Sequence, residues 1–264
     1  MDLQLKQKHV LITGGSKGIG LACAQGFLAE GAKVTLVSRD PGNLTAAVKI
    51  LKADYPASSV HTIAADMQIA ANGEQVLNQA EQHFGAVDIL VNSAGAAKRT
   101  APDDLNPEAW QAAMQAKYFS YIHMIDPVIK RMGQRGAGAI VNVIGAGGKV
   151  ASAIHMPGGA ANAALMLVNA GMASAYAAKG VRVNAVNPGL TLTDRLQEGM
   201  DTDARAQGIT AQEAMQRANA RIPMGRIARA EEVADAVVYL ASARASYISG
   251  VVLTMDGCTT AMVV

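Results

Sequence analysis

Three groups of residues in this chain have types and spacings that can do chemistry. The first is Thr13-Gly-Gly-Ser-Lys-Gly-Ile-Gly20. It follows a short β-branched run and opens an Ala-rich helical segment, so its spacing is Gly14-x-x-x-Gly18-x-Gly20. A glycine turn between a strand and a helix lets backbone N–H groups approach a pyrophosphate, and the helix start adds partial positive charge. The second group surrounds the end of the next β-branched run. Ser38 and Arg39 stand there, with Lys17 in the turn, so two cations gather where a phosphate would be bound by an Arg fork. Asp40 lies next door and weakens that reading. The third group is a loop with Lys149 and His155, of which the imidazole can act as acid or base near neutral pH.

These groups need a frame. Short apolar runs alternate with longer Ala-rich segments, the pattern of repeated βαβ units and a mostly parallel sheet covered on both faces. The strand candidates are 9–13, 33–38, 60–64, 87–92, 139–144, 181–187 and 251–255. Helical patterns fall near 18–30, 44–54, 73–84, 107–132, 159–178 and 230–242, with Asn106 before Pro107 as an N-cap. The stretch from Leu190 to Ile222 is the least regular. At 264 residues the chain suits one large domain, and no Pro/Ser-rich or charged run offers a linker.

Composition excludes several functions. A formal charge of +2, without a basic cluster, gives no case for nucleic acid. Cys23 and Cys258 lie far apart and have no metal-ligand spacing, so no metal is expected. The opening Met-Asp-Leu-Gln-Leu-Lys lacks an apolar signal region, and no apolar run approaches ~18 residues. A soluble, cytoplasmic protein without membrane partners is the expectation.

The glycine turn, Asn92-Ser-Ala-Gly95, Asn187-Pro-Gly189 with Thr193, Ile222-Pro-Met-Gly-Arg226 and Asp256-Gly257 occur in the order and at the distances found in one family. From about Leu5 to Gly257 the chain resembles the short-chain dehydrogenase/reductase (SDR) family. The resemblance implies an α/β single-domain Rossmann fold over residues 1–264: a doubly wound, seven-stranded parallel sheet with helices on both faces and a substrate lid at about 190–222. It implies cofactor contacts from Gly14, Ser16, Lys17, Gly18, Ile19 and Gly20 around the phosphates. Ser38 and Arg39 would face the ribose, Asp66 and Met67 the adenine, and Asn92, Ala94 and Gly95 the middle of the site. Asn162, Pro188, Gly189, Thr191 and Thr193 would face the nicotinamide. NAD-specific members carry an acid where Ser38 stands, so NADP(H) is expected over NAD(H). A homodimer or homotetramer through segments 107–132 and 159–178 is also implied, with small residues such as Gly159 and Ala163 packing closely and the tail from Ala261 crossing the interface.

The family's proton-transfer set is missing. The strand 139–144 places the family Ser at Gly145, and counting back from Val181 places its Tyr at Gly158 and its Lys at Asn162. Trp110 places its Asn at Lys117. Lys117, His155 and Asn162 are the candidate catalytic residues that remain. Three readings stay open: an NADP(H)-dependent oxidoreductase of an unknown carbonyl or alcohol, a non-redox enzyme on the same scaffold, and a cofactor-binding pseudoenzyme or sensor.

Overall fold

The computed structural model describes residues 1–95 and 100–261. Met262, Val263 and Val264, the end of the apolar tail expected at a subunit interface, lie outside that range. In chain order the elements are β1 (His9–Thr13), α1 (Gly18–Ala29), β2 (Lys33–Ser38), α2 (Pro41–Asp54), β3 (Val60–Ala64), α3 (Ala71–Phe84) and β4 (Ile89–Asn92). Then come α4 (Pro107–Ala113), α5 (Ser120–Arg135), β5 (Gly138–Val143), α6 (Met156–Tyr176) and β6 (Val181–Pro188). The chain finishes with β7 (Thr191–Leu192), α7 (Asp194–Gln207), α8 (Ala211–Ala220), β8 (Ala228–Arg229), α9 (Ala230–Ala241) and β9 (Val252–Met255).

Seven strands form one parallel sheet in the order β3-β2-β1-β4-β5-β6-β9. Alternate residues of each strand point to opposite faces, and both faces are apolar. Val10, Ile12, Val34, Leu36 and Val141 pack with α1, α2 and α9. Leu11, Val37, Leu90, Ile140 and Val183 pack with α3, α5 and α6. Truncating a fully buried residue such as Leu11 to Ala costs about 2–5 kcal/mol in cores of this kind. The chain winds outward from β1 to β3 and then restarts at β4 on the other side of β1. Such a reversal opens a crevice beyond the carboxyl ends of the two strands, where ligands bind in open α/β sheets.

Two departures from the expected elements matter for the site. The segment expected as one helix over 107–132 is two helices joined by a π-helical stretch, Met114–Phe119. Asn106 caps α4 as expected, its side chain accepting from the Ala109 N–H at 2.8 Å with Pro107 in the first turn. The irregular segment after β6 is largely helical and closes its own small core of Leu196, Met200, Ala204, Ala214, Ile222 and Ile227. Among the described residues no helix is long and apolar enough to cross a membrane.

Candidate active site and nucleotide cradle

At the β1–β4 crevice, the three glycines of the turn do separate jobs. Gly14 has φ +67°, and an added Cβ would stand 2.7 Å from the Ala94 backbone nitrogen. Gly18 starts α1 with φ +51°, and its missing Cβ leaves room for the Thr193 methyl. Gly20 lies against the turn itself, since a Cβ there would be 2.2 Å from the Gly14 carbonyl oxygen. Only glycine allows this close fold of backbone on backbone. The start of α1 has no side-chain cap and no acid in its first turn, so its N–H groups remain available to an anion.

A cavity of about 970 Å³ opens over this turn. It is lined by Gly14, Ser16, Lys17, Gly18, Ile19, Ser38, Arg39, Asp66, Met67, Ala94, Gly95 and Thr193, all expected there, and by Val37, Ala65, Gln68, Ser93 and Thr100, which were not. The second set follows directly from strand-end geometry, because each except Thr100 adjoins an expected residue in sequence. Six expected cofactor residues do not line it. Gly20 and Asn92 lie beneath, Gly189 packs on Asp256, and Pro188, Thr191 and Asn162 are buried.

Asn92 belongs instead to a buried relay of amides. Thr13 Oγ1 donates to Asn92 Oδ1 at 3.2 Å, Asn92 Nδ2 to Asn142 Oδ1 at 3.0 Å, and Asn142 Nδ2 to Asn169 Oδ1 at 3.1 Å. This chain ties β1, β4, β5 and α6 together below the crevice, so every polar atom named in it offsets its desolvation.

Lys17 and Arg39 both line the cavity. Lys17 and Arg39 are exposed at the rim, and neither side chain has a hydrogen-bond or ion-pair partner among the described residues. Asp40 does not compete for them: its carboxylate accepts from the Asn43 N–H at 2.8 Å and caps α2. Ser16 and Ser38 hydrogen-bond to each other at 3.0 Å across the floor. Asp66 is held by the Gln68 N–H at 3.0 Å. A glycine cradle that any Cβ would fill and an open helix start fit a nicotinamide dinucleotide.

The candidate catalytic side chains Lys117, Asn162 and His155 stand beside the cavity without lining it. Lys117 lies within the π stretch, and its ammonium donates to the Val143 carbonyl at 3.0 Å and to the Tyr121 hydroxyl at 2.7 Å. Its stem lies where a Gly95 Cβ would be, 2.6 Å from Lys117 Cδ, and Gly95 with φ +136° is part of the cavity wall. Asn162 points toward Gly145: its Nδ2 is 3.2 Å from where a Cβ on Gly145 would lie, and its buried Oδ1 has no donor among the described residues. The same amide is 3.8 Å from the missing Cβ of Gly147, which His155 Cδ2 approaches to 3.3 Å. Lys117 is thus on the β4 side of β5, and Asn162 and His155 meet at the Gly145–Gly147 turn. Gly158 is buried at the start of α6, and its neighbour Pro157 lines the cavity. Lys149 is drawn elsewhere, its ammonium donating to Thr254 Oγ1 at 3.1 Å.

The family model for short chain dehydrogenases matches residues 8–204. The chain belongs to this family. A 3alpha-hydroxysteroid dehydrogenase of Mediterraneibacter gnavus is 30% identical over 97% of this chain and 98% of its own length. The L-sorbose reductase of Gluconobacter frateurii, solved with NADPH and L-sorbose, superposes with a TM-score of 0.92 at 30% identity, covering 100% of both chains. A short chain oxidoreductase of Pseudomonas aeruginosa PAO1, solved with NADPH and described as containing an atypical catalytic center, has a TM-score of 0.88 at 30% identity over 97% of this chain and 98% of its own. This short chain dehydrogenase therefore shares its whole scaffold with NADPH-bound reductases. The candidate catalytic residues read from the sequence did not include Tyr121. Its four-residue spacing from Lys117 was the signal that could have paired them.

Proposed function

We propose that this short chain dehydrogenase is an NADP(H)-dependent oxidoreductase of a carbonyl or alcohol in which Lys117 stands in for the usual proton-transfer set. The observation that carries the reading is the Lys117 ammonium, fixed behind the Gly95 part of the cavity wall by Val143 O at 3.0 Å and by the Tyr121 hydroxyl. Gly14, Ser16, Gly18 and Ile19 take the pyrophosphate, Lys17, Ser38 and Arg39 the 2′-phosphate, and Asp66 and Met67 the adenine. Asn162, with an unsatisfied Oδ1, accepts a ribose hydroxyl, and Pro188, Gly189, Thr191 and Thr193 border the nicotinamide side. When bound, the reduced cofactor supplies a hydride. Lys117 holds a proton at Nζ and gives it to the carbonyl oxygen as that carbon is reduced, so one carbonyl becomes one alcohol and the amine takes its next proton from solvent. His155 orients the substrate from the loop, and the α7–α8 segment covers it as a lid. Exposed Ala160, Ala163 and Leu167 on α6 suit a homodimer or homotetramer face, whereas Gly159 packs on Gly147 of its own chain.

A specific observation favours a second reading, a cofactor-binding pseudoenzyme: position 158, buried at the start of α6, carries no side chain. Fluorescence titration with NADPH and NADH, followed by a turnover screen over ketones, aldehydes and alcohols, separates the two. The proposal expects NADPH to bind about tenfold more tightly than NADH and at least one compound to turn over. Equal affinities would remove the NADP(H) assignment, and tight NADPH binding without turnover across the panel would favour the second reading.

A further inference from the structure

We propose that Tyr121 is the positioning residue of Lys117, so that the chain carries a lysine–tyrosine couple on the wall that faces α6 rather than on α6 itself. This deepens the reading of Lys117 as proton donor and rests on it for its meaning in turnover. The couple itself is open to test without any substrate.

Tyr121 is fully buried among Met124, Ile125 and Ile140, a setting in which a phenylalanine would bury the same ring. A buried hydroxyl is costly unless hydrogen-bonded, and one bond would satisfy it. The Tyr121 hydroxyl makes at least two. It donates to the Val143 carbonyl at 2.6 Å and accepts from the Lys117 ammonium at 2.7 Å. The same carbonyl accepts from Lys117 at 3.0 Å, so the ammonium, phenol and carbonyl close a three-way set. The ammonium also stands 4.3 Å from the centroid of the Tyr121 ring, close enough for a cation–π attraction.

The backbone supports this arrangement. Lys117 sits in the π stretch and Tyr121 one residue into α5. Between them the Ser120 hydroxyl donates to the Ala116 and Lys117 carbonyls, each at 3.0 Å, which satisfies acceptors that the wider π turn loosens. Gly95 supplies the space: with any larger residue there, the lysine stem would have to leave. The four-residue spacing Lys-x-x-x-Tyr is thus read from the helix facing the crevice, in reverse order to the Tyr-x-x-x-Lys that α6 lacks.

A lysine held in this way keeps its charge at one place, beside the phenol that accepts from it. His155, from the loop ahead of α6, approaches the neighbouring Gly147. The test uses the full-length protein without cofactor, with ¹⁵Nζ-labelled lysine and ¹³Cζ-labelled tyrosine followed by NMR. In Tyr121→Phe, which keeps the ring, the Lys117 titration midpoint is expected to fall by about one pH unit. In Lys117→Met, the Tyr121 midpoint is expected to rise by a similar amount, and this second variant decides the matter if the first fails to fold. A purely structural tyrosine would change the melting temperature and leave both midpoints in place, and that result overturns the couple. Coupled midpoints in a protein that proves to have no turnover would leave the couple standing and remove only the catalytic reading of Lys117.

Discussion

The nucleotide cradle and the wall opposite it are built from neighbouring strand ends but from different material. In the cradle the chemistry belongs to the backbone: Gly14, Gly18 and Gly20 bring N–H groups and a helix start together because nothing projects from their α-carbons. On the opposite side it belongs to side chains, with Lys117 and Tyr121 at the Val143 carbonyl and Asn162 beside Gly145. A backbone site tolerates no substitution that adds an atom at the wrong place. A side-chain site can be re-equipped while the sheet beneath it is unchanged, because the amide relay through Asn92, Asn142 and Asn169 keeps the strand ends in place.

The sharpest way to break that contrast is to add one methyl group to each region. In Gly20→Ala the new carbon would lie 2.2 Å from the Gly14 carbonyl oxygen, so the turn must move. NADPH affinity should drop by about a hundredfold or more, with a stability loss of about 2–4 kcal/mol, read by fluorescence titration and denaturant melts. Gly145→Ala meets only the end of the Asn162 side chain at 3.2 Å, which can yield. There NADPH affinity should change by less than about tenfold. Similar losses in the two variants would erase the distinction between the regions.

Next in size is Arg39→Ala. Asp40 is committed to capping α2, so the guanidinium is the group left to meet a 2′-phosphate. NADPH should bind about tenfold more weakly while NADH is unaffected. Parallel losses for both cofactors would place Arg39 outside the phosphate site.

Much of this was legible before any coordinates. Each sheet strand lies within two residues of its expected run, and the inner strands β1 and β4, buried throughout, leave the clearest hydrophobic signature. The glycine turn was legible because its spacing encodes backbone geometry. The π stretch was not: 107–132 carries a continuous helical pattern, and one extra residue in a turn leaves no mark on it. Nor was the Lys117–Tyr121–Val143 set, since it depends on a carbonyl from a strand 26 residues further along the chain from Lys117. Asp40 was misleading for the same reason, as its role as a cap appears only once α2 starts at Pro41.

The smallest effects fall far from either region. His9, at the opposite end of β1, and His61 of β3 are both held below the ordinary value of 6.5, chiefly by burial. Each takes up a proton less readily in the fold than when unfolded. Their contribution to stability is therefore present above pH 6.5 and lost as pH falls through that value. A melting temperature that fell by a few degrees, about 2–5 °C, between pH 7.5 and about 5.5 would agree, and one that rose would contradict the sign. Cys23 is buried, with its thiol pushed up to about 12, so a thiol reagent should label exposed Cys258 alone until the protein is unfolded.

The most direct measurement compares the native protein with Lys117→Met in two readings: NADPH affinity, and turnover of whichever carbonyl emerges from the screen. The account predicts NADPH dissociation constants that agree within about threefold and a kcat lower in the variant by about 10²–10⁴. An unchanged kcat in Lys117→Met would show that the proton comes from elsewhere and would contradict the central claim.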